Sequence, residues 1–145
     1  MKNRLVAAIF AAFAVFVAGV LTVDGAAQAQ SSGIASHWTG EYQYPNQSQG
    51  PVEFTMTLQL NGQSITGRTT EPATFGNGSS PFLYATISGT VVGRTISFTK
   101  TYDGTGGVNH SVQYRGTISR DGSFIVGRWN IGNDGAAFSA TAQAP

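Results

Sequence analysis

The sequence predicts an all-β protein: an antiparallel up-and-down eight-stranded barrel that follows an N-terminal signal peptide. Three observations carry that expectation. Beyond Ser36, apolar and polar residues alternate with a period of two almost throughout, and no helical spacing of apolar residues outlasts a turn. Short turn signals separate the alternating runs. Neighbouring runs are joined too tightly for crossover connections, so successive strands pair antiparallel.

The first element is the signal peptide, residues 1–29. Lys2 and Arg4 precede an unbroken apolar run from Leu5 to Leu21, and Ala27-Gln28-Ala29 supplies a small-x-small cleavage site. The run approaches the roughly 20 residues that span a bilayer, so a retained anchor is the alternative. The well-formed site, with Asp24 and two glutamines after the run, favours cleavage. The chain holds no cysteine, which leaves no site for lipoprotein attachment and no disulfide to support the fold in an oxidising compartment. The expected location is periplasmic or secreted, through a bacterial Sec-type signal, with no stable membrane insertion after cleavage.

The exported part is about 116 residues, a length that suits one domain with one core. A polar leader, residues 30–36, precedes a single barrel domain, residues 37–145. Its expected strands are His37–Tyr44, Val52–Leu60, Ser64–Glu71, Leu83–Val92, Arg94–Tyr102, His110–Ser119, Ser123–Ile131 and Gly135–Ala142. The breaks carry turn chemistry: Asn61-Gly62, Gly93, Asp103-Gly104 with Gly106-Gly107, Asp121-Gly122 and Asn133-Asp134-Gly135.

One face of these strands gathers the large apolar residues, among them Trp38, Tyr42, Tyr44, Phe54, Met56, Leu58, Leu60, Val91, Phe98, Tyr114, Trp129, Ile131 and Phe138. The other face is Thr, Ser, Gln, Glu and Arg. A sandwich or a barrel can close such a set, and the barrel is preferred because it removes both exposed edges. An outer-membrane barrel would need the faces exchanged, with Lys100 and Glu71 in the lipid-facing band and strands slightly short for a crossing, so a soluble barrel is expected.

Five glycines, Gly40, Gly67, Gly89, Gly116 and Gly127, share the apolar face near strand centres. Interior glycine marks sharp coiling or close approach of another group. Either these glycines make room for large neighbours in a packed barrel, or they leave a hollow; the pattern is compatible with both.

Lys100 also falls on the apolar face, and Glu71 is the acidic residue of matching phase. A buried unpaired ammonium tends to lose its proton. The two therefore either pair inside the barrel, with Tyr42, Tyr44, Tyr102 and Tyr114 nearby, or sit at the rim where lysine snorkels to water. The rim is the preferred placement. In both cases a lysine, a carboxylate and several tyrosines around an apolar cup form a set of orienting groups for a small molecule. The expected ligand-binding residues are Tyr42, Tyr44, Glu71, Phe98, Lys100, Tyr102, Tyr114 and Trp129. Phe75 and Phe82, in the long Glu71–Phe82 connection, are lid candidates over the mouth, with packing against the barrel end as the alternative.

Other chemistries find little support. The exported part balances six basic residues against six acidic ones, which gives no electrostatic reason to seek nucleic acid. His37 and His110 are the only histidines, and both read as outward-facing or at strand ends, so a metal site would need them to meet by chance across the barrel. No Gly-x-Ser-x-Gly elbow occurs, and the aspartates lie in turns. Asp103-Gly104-Thr105-Gly106-Gly107 lacks the further carboxylates of a calcium loop and reads as a hairpin loop. No catalytic residue, metal or cofactor is expected.

Trp38-Thr39-Gly40-Glu41-Tyr42 on the first strand, followed by an eight-strand meander ending in Gly127-Arg128-Trp129, resembles the calycin superfamily of lipocalins, fatty-acid-binding proteins and avidins. The resemblance implies that Trp38 closes one end of the barrel beneath a basic side chain, for which Arg115 and Arg128 are the candidates. It departs from the lipocalin Gly-x-Trp, since Ser36 stands two before Trp38, and it lacks avidin's first-strand Asn and Ser and its paired late tryptophans. Biotin is accordingly not the expected ligand.

The function expected is that of an exported binding protein, not an enzyme, holding a small, mostly apolar or amphipathic molecule in the barrel cup. The alternative is a protein-binding module, an inhibitor or adhesion partner, acting through its end loops with the barrel packed solid. A structural protein with no ligand is a third reading. A Thr-rich outer face permits barrel-to-barrel pairing, as avidins show, so a homo-oligomer is allowed.

Overall fold

The computed structural model describes residues 33–46 and 49–144; the expected signal peptide lies outside the described residues. Eight strands form a closed barrel in sequence order: β1 (His37–Tyr42), β2 (Val52–Asn61), β3 (Ser64–Pro72), β4 (Phe82–Val92), β5 (Thr95–Tyr102), β6 (Ser111–Ile118), β7 (Phe124–Ile131) and β8 (Asp134–Ala142). Every neighbouring pair is antiparallel, and β1 closes on β8 with Trp38 opposite Ala142 and Tyr42 opposite Phe138. The choice between sandwich and barrel is thereby decided for the barrel.

The strands follow from the alternation. Along β2, Val52, Phe54, Met56 and Leu58 are buried while Glu53, Thr55 and Thr57 are exposed, because successive side chains of a pleated strand point to opposite faces. Apolar residues fill the interior and the Thr, Ser and Gln rows face outward, the reverse of a transmembrane barrel's alternation. Burying a core side chain such as Ile96 or Leu83 contributes about 1.5–3 kcal/mol, and both are fully buried.

Several expected boundaries shift. β1 ends at Tyr42, not Tyr44, because its partner β2 begins at Val52 and the preceding Pro51 has no amide to extend the ladder. The last turn falls at Gly132-Asn133, where Gly132 takes the left-handed conformation at φ 55°, so Asp134 already pairs with Ile131 in β8. The Asp103–Gly107 segment is a hairpin loop as expected, but Thr105–Gly107 adds a 3-10 turn, and Asp103 Oδ1 accepts the Thr105 amide at 2.9 Å. Leu60 and Ile131, assigned to the inner face, stand among the last paired positions of β2 and β7, at the two ends of the barrel, and are exposed there.

The two ends differ. Short turns join β2 to β3 and β4 to β5 at the end where the chain enters, and there Trp38 is buried, its Nε1 donating to the Ala35 carbonyl at 2.7 Å. Ile34 and Ala35 pack on the core beside it. Trp38 thus plugs that end, but Arg115 and Arg128 do not lie over it. They stand opposite one another on the outer face of β6 and β7, are exposed, and donate to Ser97 Oγ and the Gly135 carbonyl. Arginine at an outward position of the pleat stays in water.

The inward glycines make room for large neighbours. A Cβ on Gly40 would lie 2.5 Å from Phe54 Cζ, one on Gly89 2.6 Å from Phe98 Cβ, and one on Gly127 2.5 Å from Gly116 Cα and 2.7 Å from Phe138 Cε1. The middle of the barrel is packed solid around these phenylalanines. Space remains elsewhere, at the mouth.

Candidate functional site

The mouth is formed by the ends of β1, β3, β5 and β7 and the long loops that follow β1, β3 and β5. Just inside it, β3 delivers Glu71 and β5 delivers Lys100 and Tyr102, while β1 ends on Tyr42. All four sit at inward positions of their pleats, and closure of the cylinder brings them together across the interior. Glu71 and Lys100 are 1% and 2% exposed. The preferred rim placement is therefore wrong and the internal pair is what forms: neither side chain reaches solvent, since the loops and the aromatic side chains above cover them.

Lys100 Nζ is ion-paired and hydrogen-bonded to Glu71 Oε2. Glu71 Oε1 accepts from the Tyr102 hydroxyl at 2.5 Å and the Tyr42 hydroxyl at 3.2 Å. The ammonium also lies over the Tyr102 ring, 4.6 Å from its centroid, and 5.4 Å from that of Tyr42. A buried carboxylate is tolerated only with such partners.

Burial lowers the Lys100 pKa from its ordinary value, and the charge and hydrogen bond of Glu71 push it back up. Burial first, then the Glu71 charge, raises the phenols of Tyr42, Tyr102 and Tyr114 far above their ordinary range. The phenols therefore stay protonated, and those of Tyr42 and Tyr102 donate to the carboxylate.

Above this centre lies a cup of about 250 Å³ walled by Tyr42, Tyr44, Tyr102, Tyr114, Trp129 and Phe75, with Gln49, His110, Val112 and Ile131 completing its lining. Its aromatic walls are held in place. Tyr42 meets Trp129 edge-on at 6.3 Å and Tyr44 at 5.8 Å. Trp129 Nε1 donates to the Gln43 carbonyl at 3.0 Å, and the Tyr44 hydroxyl shares a 3.1 Å hydrogen bond with Thr74 Oγ1. Phe75 packs edge-on against Tyr102 at 5.7 Å.

Of the expected ligand-binding residues, Tyr42, Tyr44, Tyr102, Tyr114 and Trp129 line the cup directly. Glu71 and Lys100 form the polar centre bonded to two of its tyrosines, and Phe98 lies deeper, stacked on Tyr114. The lid candidates separate: Phe75 forms part of the cup, whereas Phe82 opens β4 opposite Pro72 at an outward position of the pleat and is 45% exposed. Phe82 is not over the mouth, since Leu83 takes the inward place beside it.

Sequence reasoning did not single out His110, Gln49 or Val112 for the cup, nor Thr69. His110 had a signal, its place at the end of the loop after Tyr102, whose ring it approaches at 5.0 Å. His37 starts β1 at the opposite end of the barrel. Thr69 Oγ1 is buried and has no hydrogen-bond partner among the described residues; it borders a void of about 10 Å³ that Lys100, Phe98 and Tyr114 also line.

The chain defines a closed eight-stranded antiparallel barrel with an aromatic cup at one end. No protein-family model and no curated protein matches it. Among solved structures it is similar to a redesigned beta barrel, with a TM-score of 0.60 at 12% identity, over 77% of this chain and 92% of that one. At this identity the likeness is one of fold.

Proposed function

We propose that this protein is an exported barrel that binds a small, mostly apolar molecule in the cup at its mouth, in the manner of the calycin superfamily, and does not catalyse a reaction on it. The observation that carries this reading is the cup itself: about 250 Å³ of space behind aromatic walls, above a buried Glu71 whose carboxylate is already engaged by Lys100, Tyr42 and Tyr102. Concave, mostly apolar sites with a few fixed polar groups are what small ligands occupy. A carboxylate and ammonium committed to each other act as a scaffold for those walls.

The signal-like first 29 residues support export, to the periplasm or beyond. A second reading, a protein-binding module working through the mouth loops, draws on the packed middle of the barrel around Gly89, Gly116 and Gly127. Native mass spectrometry of the protein from its own host's exported fraction separates the two. A reproducible mass excess of small-molecule size that denaturation releases is the expected result. A bare mass, with a protein partner co-purifying at the mouth loops, would favour the second.

A further inference from the structure

We infer that the ligand is an uncharged aromatic molecule of one or two rings bearing a single polar substituent, and that the hydroxyl of Tyr114 is the group that receives this substituent. The inference rests on the proposed small-molecule reading and narrows its ligand class. Four observations carry it.

The first is size. A cavity of about 150 Å³ accommodates benzene, so about 250 Å³ suits one or two fused rings and is too small for a long acyl chain or a sterol.

The second is shape and surface. The walls are six aromatic side chains, Tyr42, Tyr44, Phe75, Tyr102, Tyr114 and Trp129. Ring pairs in stacked or edge-to-face contact gain about 0.5–1.5 kcal/mol beyond the area they bury, so such walls favour a flat ring over an aliphatic chain of equal volume.

The third is charge. Among the described residues no Asp, Glu, Lys or Arg lines the cup, and the one titratable imidazole that borders it, His110, is exposed to solvent. The nearest formal charges, Glu71 and Lys100, neutralise one another beneath it. A charged ligand would leave water without gaining a counter-charge, and an unpaired ion in an apolar site is strongly disfavoured.

The fourth is the hydrogen-bond inventory of the aromatic walls; the other two polar residues of the lining, Gln49 and His110, are exposed at its edge. The hydroxyls of Tyr42 and Tyr102 are given to Glu71, that of Tyr44 to Thr74, and the Trp129 indole to the Gln43 carbonyl. Tyr114 differs: its hydroxyl has no hydrogen-bond partner among the described residues, is not one of the buried partnerless atoms and so opens on the cup, and its phenol lies within electrostatic reach of Glu71 and Tyr44. Its ring is clamped by Phe98, parallel at 4.8 Å, and by Phe138, edge-on at 5.0 Å, so the hydroxyl is held at one place. A phenol that opens on an apolar cup without a protein partner is a fixed polar group of the kind that orients a ligand, and a ligand hydroxyl or carbonyl would meet it there.

The test uses three compounds of one shape, naphthalene, 2-naphthol and 2-naphthoate, titrated into the mature wild-type protein and Tyr114→Phe. Binding is read by calorimetry and by quenching of Trp129 fluorescence, with Trp38 at the other end of the barrel as an internal reference. We expect 2-naphthol to bind about five- to tenfold more tightly than naphthalene, the worth of one hydrogen bond, and 2-naphthoate at least about a hundredfold more weakly than 2-naphthol. Tyr114→Phe should erase the difference between 2-naphthol and naphthalene, with thermal unfolding showing that the variant is folded. Equal binding of the two neutral compounds to wild type, or a preference that survives in Tyr114→Phe, overturns the role of Tyr114 while the small-molecule reading stands. Preferred binding of 2-naphthoate overturns the neutral class. Failure of all three to bind overturns the inference together with the reading on which it rests.

Discussion

The ring of Phe98 lies flat against that of Tyr114, centroids 4.8 Å apart and planes 5° from parallel, and this stack forms the partition between the packed middle of the barrel and its open mouth. Both rings meet Phe138, but Tyr114 lines the cup whereas Phe98 lies against the inward face of Gly89. Above the stack the interior is aromatic and accessible, and below it the glycines leave no room. The candidate site and the packed core are thus two sides of one pair of rings.

The Lys100–Glu71 pair should behave as a unit. Glu71→Gln or Lys100→Met alone leaves an uncompensated buried charge, and each should cost about 3–5 kcal/mol. The double variant should lose far less than the sum of the two. Equilibrium denaturation of the four proteins measures this as a cycle. Additive losses would mean that the two charges are stabilised separately, each by other groups.

Filling the inward glycines should destabilise. Gly127→Ala places a Cβ 2.5 Å from Gly116 Cα and 2.7 Å from Phe138 Cε1, and overpacking of this kind costs about 1–3 kcal/mol. Gly50→Ala, where nothing lies within 4 Å of the added carbon, should be neutral or slightly stabilising. Comparable midpoints of denaturation for the two variants would contradict the packed middle.

Alkaline pH should unfold the protein steeply. Burial and the Glu71 charge raise the phenols of Tyr42, Tyr102 and Tyr114 above the ordinary 10.0. Above that pH the unfolded chain releases these protons and the folded chain keeps them, so stability falls as pH rises. Lys100, lowered from 10.5 by burial, works in the opposite direction: up to its unfolded value the unfolded chain holds the extra proton. Above 10.5 both states have lost the Lys100 proton, so the opposition fades and the slope rises toward about three protons. Replacing any one of the three tyrosines by Phe should flatten the alkaline limb by about one proton. An unchanged slope in all three variants would show that their phenols ionise in the folded state.

Thr69→Val should be neutral or stabilising, by up to about 1 kcal/mol, because Thr69 Oγ1 is buried without a partner. The void beside it, about 10 Å³, is close to the smallest space that holds a water, roughly 10–15 Å³. A loss of more than about 1 kcal/mol on denaturation would show that the hydroxyl is satisfied in the folded protein.

Much of this was legible in the alternation. A period of two is a local property of the pleat, so it placed the strands within one or two residues of where they lie at most ends, sorted Phe54, Phe98 and Phe138 inward, and put Lys100 and Glu71 on one face. Five of the eight expected ligand-binding residues line the cup for the same reason. Phe82 escaped because it lies at the loop boundary, where phase is lost: it begins a strand one residue before the expected start and so points outward.

The sequence by itself therefore determined the strand count, the inward and outward faces, the hairpin turns and the shared phase of the lysine and glutamate. Only the tertiary structure decided depth. How far along the barrel axis a residue sits depends on the register of all eight pairings and the tilt that closure imposes, and no local pattern encodes that sum. Closure brought Tyr42, Glu71, Lys100 and Tyr102 to one level beneath the mouth, although 29 residues separate Glu71 from each of Tyr42 and Lys100. It also set Gly127 against Phe138 and Gly116, which made a packed middle of glycines whose sequence pattern allowed a hollow as readily. Alternation tells a residue which way to face, and closure of the cylinder tells it what it meets there.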